Sequence, residues 1–490
     1  MRFICLRLVI PPDVERRRSA RFLYTSRHVQ RPLLPAEDFF IVNNPGSSTT
    51  STARKASLFY FVFVMFSYTT GGPFGLEAMV TTSGPGMTLL YLLLIPFFWC
   101  IPVSLVSAEL TTAMPVEGGF YRWSRAAFGD FWGFLAGWWN WSASFLLGGS
   151  YAVLFSDYLS FYFPGIVGWK HWLASFILIA LIAWINIRGI QMVGKAATVF
   201  EVFVFIPVIA MIVLGLAKWH HNPFVPFVPP KQPFPTVFGV GLALGIWLYS
   251  GYEQLSTVAE EVENPQRTYP RALALVVPLS VATYFLPTLA ALAALGNWQQ
   301  WKDGYFPIAA QLIGGPWLGN LMTIAAMVGT VALLNSTVLT TTRMPYALAE
   351  DGYLPPFLTR KHPRYGTPWI AILISAAIYA SLALHTLGQL ISIYVWLRAA
   401  TTVLTVLSAW ALRRKRPDLP RAFRIPGGRL GLAYVVALPI VMTCVVIYTL
   451  RYSDPISLRW GPWALATGPV VYFVVKWFAK RAALRNANAR

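Results

Sequence analysis

Charged residues are scarce in this chain of 490 residues: Asp, Glu, Lys and Arg make up 12% of it, against about 25% in soluble domains. Cysteine is nearly absent, and Cys5, Cys100 and Cys444 show neither metal-site nor disulfide spacing. Nucleotide-binding loops and nucleophile–base motifs are also missing, which argues against ATP-driven work and catalysis. Hydrophobic residues, by contrast, account for 56%. This composition excludes an ordinary soluble domain and indicates a protein embedded in a membrane.

Apolar stretches of about 20 residues, each long enough to cross a bilayer as a helix, recur along the chain. They predict an all-α integral membrane protein with twelve transmembrane helices. Residues 1–55 are rich in Arg, Pro and Ser without apolar periodicity and are predicted to form a disordered, basic cytoplasmic tail, with a second short tail at 481–490. The predicted segments lie near residues 57–82, 87–113, 131–163, 171–187, 196–217, 236–262, 272–296, 317–347, 368–385, 388–412, 431–451 and 460–479.

Positive charge is distributed unevenly between the predicted loops. The net charge of +20 would suit a nucleic-acid partner if it were concentrated on one face. Counted with the N-terminus inside, however, 32 of the 39 Lys and Arg residues fall on the cytoplasmic side and 6 on the outer side. Cytoplasmic loops of membrane proteins carry this excess. We therefore expect both termini in the cytoplasm, membrane lipids rather than nucleic acid as partners, and a location in the plasma (cytoplasmic) membrane.

Two of the predicted segments are interrupted by residues that disfavour a helix. Gly71, Gly72 and Pro73 lie inside the first segment, and Tyr249-Ser-Gly251 lies inside the sixth. In hydrocarbon a broken helix persists only where it is buried in protein or lines a cavity, because its freed backbone groups need partners. Paired breaks in corresponding halves of a chain are typical of the substrate site of a secondary transporter.

Five motifs, in order along the chain, resemble those of one superfamily of transporters. Gly71-Gly-Pro-Phe-Gly-Leu-Glu77 is similar to a segment of bacterial and plant amino acid and polyamine permeases. Further matches occur at residues 108–123, 259–271, 349–368 and 419–428. By these motifs the chain resembles the amino acid–polyamine–organocation (APC) superfamily over most of its length.

The resemblance implies a LeuT-like fold for a transporter domain at residues 56–480. Two inverted repeats of five helices, at about 57–217 and 236–412, would be followed by two extra helices at about 431–479. The first and sixth helices would be broken, and a bundle would rock against a scaffold around a site in the middle of the membrane. The resemblance also implies a symporter without a cofactor, and not an enzyme.

The two breaks together provide the predicted substrate site. Free N–H groups of the half-helix beginning near Phe74 would suit a carboxylate, and free carbonyls at both breaks would suit an ammonium group. The glycines would let a ligand approach the backbone closely, and Tyr252 would serve as an aromatic lid. The predicted substrate-binding residues are Thr70, Gly71, Gly72, Pro73, Phe74, Gly75, Tyr249, Ser250, Gly251, Tyr252 and Glu253.

Acidic side chains inside or near the ends of the segments are the main candidates for charge recognition. Glu253, at the second break, would pair with a substrate amine or carry a coupling proton, since a carboxylate at such depth is costly and usually functional. Glu77 and Glu109 are coupling or gating candidates, with structural caps or pairs to Arg122 and Arg125 as the alternative.

The fifth and tenth segments each contain an unusual charge. Many permeases of the superfamily carry a lysine in the fifth segment that replaces a sodium ion, whereas here Glu201 enters it and Lys195 stays at its edge. A proton is therefore the expected coupling ion, with sodium as the alternative. Arg398, in the middle of the tenth segment, would pair with Glu253 or Glu201, hold a substrate carboxylate or close an outer gate. Glu201 and Arg398 are thus further coupling or gating candidates, with an ion pair to Lys195 or Arg188 as the alternative for Glu201.

These observations predict a secondary active transporter for amino acids or related amines, driven by protons. Because Arg398 would repel a polyamine if it lined the site, an amino acid is favoured over the alternative of polyamine uptake. The alternative of another class is a non-transporting membrane sensor or a subunit of a larger complex. A sensor would ordinarily need an output domain, and the sequence shows none of useful size.

Overall fold

The computed structural model describes residues 57–114, 119–188 and 191–488, without the side chains of 191–202, 257–261, 479–480, 482–488 and a few single residues. The predicted tail 1–55 lies outside it. All regular elements in these ranges are helices. The α-helices are α1 (Leu58–Thr69), α2 (Glu77–Ser83), α3 (Pro85–Ile95), α4 (Ile101–Ala113), α5 (Gly119–Phe128), α6 (Asp130–Leu159), α7 (Trp169–Arg188), α8 (Gln191–Ala217), α9 (Phe234–Leu248), α10 (Pro265–Leu295), α11 (Phe306–Gly314), α12 (Pro316–Thr341), α13 (Arg343–Glu350), α14 (Trp369–Leu382), α15 (Leu387–Lys415), α16 (Gly428–Ser453) and α17 (Pro455–Asn488).

Seven helical stretches of the described residues are long and apolar enough to cross a membrane. This supports an integral, multi-pass membrane protein. Helices also occupy the other five predicted segments, and the total of twelve spans stays a prediction. The seven stretches are Pro85–Ala113, Trp169–Arg188, Phe234–Ser256, Pro265–Leu295, Pro316–Glu350, Leu387–Lys415 and Gly428–Tyr452.

Local sequence determines where several of these helices begin. Pro85, Pro265 and Pro316 occupy the first turn of α3, α10 and α12, where a missing N–H removes no helical hydrogen bond. At the start of α15, the Thr386 side chain accepts a hydrogen bond from the Gln389 N–H, and the Gln389 side chain accepts one from the Thr386 N–H. This capping box fixes the start of the helix that carries Arg398.

The core is formed where helices from both halves of the chain meet. α1 packs against α10 and α12, α6 packs against α12 and α15, and α16 and α17 pack on α9 and α15 respectively. Small residues allow close approach: Gly148 of α6 lies against the ring of Tyr379, and Gly215 of α8 lies against the carbonyl of Ala290 in α10. The C-terminal ends of α1 and α9 are buried inside this core.

Candidate functional site

The backbone leaves the helical path between α1 and α2, at residues 70–76. Gly71, Gly72 and Gly75 have φ angles of +55°, +104° and +87°, in a region that residues with a Cβ rarely adopt. A Cβ added to Gly72 would also lie 2.5 Å from the ring of Phe74. The first segment is therefore interrupted where its sequence predicts, and the conformation of the break depends on glycine.

Glu77, the first residue of α2, binds the backbone of the break with its own carboxylate. Its Oε2 accepts a hydrogen bond of 2.8 Å from the Gly75 N–H, and its Oε1 accepts one of 2.5 Å from the Tyr158 hydroxyl. One of the N–H groups expected to be free for a substrate carboxylate, that of Gly75, is therefore already occupied. α2 begins at Glu77, three residues after Phe74.

The second break follows α9, which ends at Leu248. Tyr249, Ser250 and Gly251 separate this helix from a 3-10 helix at Tyr252–Glu261. Gly251 has a φ angle of +111°, and all three residues of the break are buried. The sixth segment is thus also interrupted where its sequence predicts, although the chain resumes as a 3-10 helix.

The polar side chains of this break are engaged by the protein. The Tyr249 hydroxyl donates a hydrogen bond of 2.7 Å to the carbonyl of Leu92. The Ser250 hydroxyl donates to the carbonyl of Ile246 at 2.5 Å and accepts from the indole N–H of Trp99 at 3.0 Å. These contacts connect the second break to the helices that follow the first.

A cavity lies between the two breaks. Thr70 and Phe74 from the first break and Ser250 and Gly251 from the second line it, and so does Arg398. Aromatic rings and amide groups make up much of the remaining wall, including the paired amides of Asn140 and Gln254. Six rings, which we call the aromatic lining, border the cavity: Tyr68, Phe74, Tyr151, Trp247, Tyr284 and Tyr394.

Several predicted substrate-binding residues do not border this cavity. The predicted lid Tyr252 is only 1% exposed and lies outside the lining. The expectation of Tyr252 as a lid is therefore wrong, and the aromatic groups that face a ligand are those of the aromatic lining. The residues outside the lining are Gly71, Gly72, Pro73, Gly75, Tyr249, Tyr252 and Glu253.

Arg398 forms an ion pair with Glu253, one of the partners that the sequence offers it. Both side chains are only 3% exposed. Arg398 borders the cavity, whereas Glu253 does not. Because Glu253 balances the positive charge of Arg398, the repulsion between Arg398 and a polyamine is weakened and does not exclude such a substrate.

Glu109 belongs to a separate ionic cluster at the end of α15. Arg413 Nε donates a hydrogen bond of 2.7 Å to Glu109 Oε1, and the Ile425 N–H donates one of 2.8 Å to Oε2. Arg421 Nε lies 3.3 Å from Oε1. Glu109 therefore fastens α4 to α15 and the loop that follows it, and it does not border the cavity. This geometry matches the structural alternative for Glu109, with different partners from those expected.

The partners expected for Glu109 make other contacts. Arg122 lies 3.1 Å and Arg125 lies 3.2 Å from the carboxylate of Asp351. These two ion pairs join α5 to the end of α13. Glu201 lies in α8, and its side chain is outside the described part of the structure. Its role as a coupling residue therefore stays a prediction.

Two residues that connect the breaks to other helices, Gly329 and Tyr284, are not predicted from the sequence. A Cβ on Gly329 of α12 would overlap the carbonyl oxygen of Gly71. The Tyr284 hydroxyl of α10 lies 3.4 Å from the carbonyl of Thr69 and 3.2 Å from that of Leu248, so it bridges the ends of both half-helices. No local sequence signal distinguishes either residue, because small and aromatic residues are common throughout membrane helices.

Asp303 adds a titratable group on the predicted outer side. It lies in the loop between α10 and α11, which packs on α6 beside Asp157. Burial raises the pKa of Asp303 to about 7, and the neighbouring Asp157 adds to the rise. Asp157 itself contacts His171 at 2.9 Å.

Replacing Asp303 by asparagine is expected to stabilise the protein more at pH 8 than at pH 5. The unfolded chain loses this proton near pH 4, whereas the folded protein keeps it until about pH 7. Stability therefore falls as pH rises between these values. Thermal unfolding should show a Tm gain at pH 8 that exceeds the gain at pH 5 by about 2 °C or more. Asp418→Asn, at an exposed carboxylate, is the matched control. An equal gain at both pH values would contradict the assignment.

Comparison with known proteins adds independent evidence. The sequence model of the family described as "Amino acid permease" matches residues 58–475. A probable polyamine transporter of Arabidopsis thaliana is 33% identical over 420 residues, covering 84% of this chain and 86% of the relative. A polyamine transporter of Oryza sativa subsp. japonica is 31% identical over 439 residues, covering 88% and 81%. A branched-chain amino acid permease of Bacillus subtilis (strain 168) is 25% identical over 422 residues, covering 80% and 86%.

Proposed function

The chain belongs to the amino acid permease family of the APC superfamily, and from this premise we propose that it carries polyamines across the membrane. It is a transporter for amino acids or polyamines, and not an enzyme. The choice of polyamine, the direction of transport into the cytoplasm and the coupling ion are the proposed parts. The relatives named as polyamine transporters in Arabidopsis thaliana and Oryza sativa support this choice.

The observation that carries the proposal is the charge arrangement around the cavity. The aromatic lining surrounds it with six rings, and aromatic faces attract ammonium groups. A substrate carboxylate would have to compete with Glu253 for the guanidinium of Arg398, and the Gly75 N–H, outside the lining, already donates to Glu77. A substrate with amines and no carboxylate avoids both conflicts, because its ammonium groups are complementary to the rings and backbone carbonyls of the cavity wall.

Ligand binding by the purified protein tests the choice of substrate. A ligand that binds the folded state raises the Tm by an amount that grows with the ratio of its concentration to its Kd. We expect spermidine and putrescine to raise the Tm in a concentration-dependent way, and leucine and arginine to leave it unchanged. The same titration in high salt controls for non-specific binding of cations. A shift produced by an amino acid alone would favour an amino acid permease instead.

Proton coupling is proposed through Glu77, with Glu201 as a second candidate. Glu77 is fully buried and accepts its hydrogen bonds from an N–H and a phenol, whereas Glu253 is paired with a cation. A buried carboxylate without a fixed cation changes its protonation state at lower cost than a paired one. Vesicles with an imposed proton gradient should accumulate substrate, and those with only a sodium gradient should not. The reverse result would assign sodium as the coupling ion.

We also propose the finer architecture that the family implies. The described helices and the two breaks support twelve spans, arranged as two inverted repeats of five helices and two extra helices. The membrane would be the plasma membrane, and both termini would lie in the cytoplasm. Tryptophan anchors spans at membrane surfaces, and three helix ends on the predicted cytoplasmic side carry an arginine stacked on such a ring. The stacked pairs are Arg188 on Trp184 (3.9 Å), Arg414 on Trp410 (4.1 Å) and Arg481 on Trp477 (3.7 Å).

A further inference from the structure

Arg398 stands between the cavity and the carboxylate of Glu253. The guanidinium borders the cavity together with Tyr68 and Tyr394, and it pairs with Glu253, which does not border the cavity. An ammonium group in the cavity therefore meets a cation of the protein before it meets the acid. Any recognition of an amine by Glu253 has to take place in competition with Arg398.

The two partners are held differently by the fold. Arg398 lies in the middle of α15, a continuous helix of 29 residues. Glu253 lies two residues after Gly251, at the start of the 3-10 helix that follows the second break. Among the described residues, neither Arg398 Nε nor either carboxylate oxygen of Glu253 has a hydrogen-bond partner, so charge alone holds the two groups together. Both groups are thus incompletely held, and the segment that carries the acid is joined to α9 through Gly251, whose φ angle of +111° is accessible to glycine.

An incoming ammonium group is expected to share the carboxylate of Glu253 with Arg398 and not to displace Arg398 completely. A carboxylate has two oxygens and accepts several hydrogen bonds, whereas a guanidinium only donates. Removal of either buried charge from its partner would leave the other uncompensated at high cost. An incoming ammonium group would therefore take one oxygen of Glu253 while Arg398 keeps the other, and the two cations would lie close together in a medium that screens them weakly.

We propose that Arg398 sets the affinity of the site: it is a built-in competitor for Glu253 that weakens the binding of the substrate's ammonium group and speeds its release. This inference rests on the proposed function, in which the substrate is a polyamine. It assigns Arg398 as a specificity-determining residue. It also predicts that Arg398 has opposite effects on the affinity for two classes of substrate. A substrate carboxylate would bind more tightly because of Arg398, whereas an ammonium group binds more weakly.

The test compares transport kinetics of Arg398→Gln and wild-type protein in liposomes with radiolabelled spermidine. We expect KM to fall at least about fivefold, because a nearby like charge is removed, and the maximal rate to fall as release slows. Arg416→Gln removes a charge from an exposed ion pair and should change neither parameter. Arg398→Lys keeps a cation but replaces the planar guanidinium, which matches a carboxylate, by a single ammonium group, so its KM should lie between those of the other two proteins.

An unchanged or raised KM for spermidine in Arg398→Gln would overturn the inference. If this variant does not fold, Arg398→Lys decides the question: a KM below wild type supports the competitor role, and a KM equal to or above wild type overturns it. Failure of the proposed function gives a different pattern. The wild-type protein would then transport no spermidine, and Arg398→Gln would raise the KM for the amino acid that the wild type carries, which identifies Arg398 as a carboxylate ligand.

Discussion

Replacing Gly329 by alanine is expected to abolish transport. Gly329 lies in α12 directly against the first break, and an added Cβ would overlap the carbonyl oxygen of Gly71. That oxygen belongs to a backbone with a φ angle of +55°, so it moves only if the whole break moves. Overpacking costs about 1–3 kcal/mol, and here the cost falls on the segment that forms the cavity, so uptake should fall at least about tenfold.

Initial uptake rates and the Tm of Gly329→Ala, measured on the same preparations, check this expectation. Gly388→Ala is the matched control, because a Cβ at Gly388 meets no atom within 4 Å and the residue lies in the first turn of α15. Alanine is favoured over glycine in a helix, so the control should transport normally with an equal or slightly higher Tm. A Gly329→Ala protein with wild-type rate and Tm would show that α12 and the first break are not in close contact.

Replacing Glu253 by glutamine is expected to remove transport and to destabilise the protein. Removal of one partner from a buried ion pair leaves the other charge uncompensated, at a cost of about 3–5 kcal/mol. Arg398, only 3% exposed, would then present an unbalanced positive charge to the cavity. Polyamine uptake should fall by more than about tenfold, because the acid is lost and the cation beside the cavity is no longer balanced.

The double variant Glu253→Gln with Arg398→Gln separates stability from recognition. With both charges gone, the Tm should recover most of its loss, whereas uptake should stay low because no acid remains for the amine. Glu263→Gln, at an exposed acid shortly after the same 3-10 helix, should behave as wild type. Full recovery of uptake in the double variant would show that Glu253 only balances Arg398 and has no part in substrate recognition.

The sequence predicts the helix breaks well because their cause is local. Gly71, Gly72 and Pro73 cannot continue a helix, and a break in hydrocarbon needs protein around it. The side chain of Glu77 has a non-obvious role: its carboxylate accepts from the Gly75 N–H in the break. A side-chain contact of this kind competes with substrate binding for the same N–H, and the residue types alone do not decide which of the two prevails.

The directions in which the side chains of the site point cannot be predicted from the sequence. Tyr252 reads as a lid beside a break, but its ring points away from the cavity, whereas the equally buried ring of Tyr284 borders it. The pair of Arg398 and Glu253 joins residues that are distant in sequence, so residue types give only a choice of partners. The contact of Gly329 with Gly71 is equally non-local.

Uptake of radiolabelled spermidine into liposomes that contain only the purified protein provides the decisive comparison. With an inward proton gradient, spermidine should accumulate above its external concentration, a protonophore should abolish the accumulation, and excess leucine should leave it unchanged. Accumulation of leucine without any uptake of spermidine would contradict the assignment of a polyamine to the cavity between the two breaks.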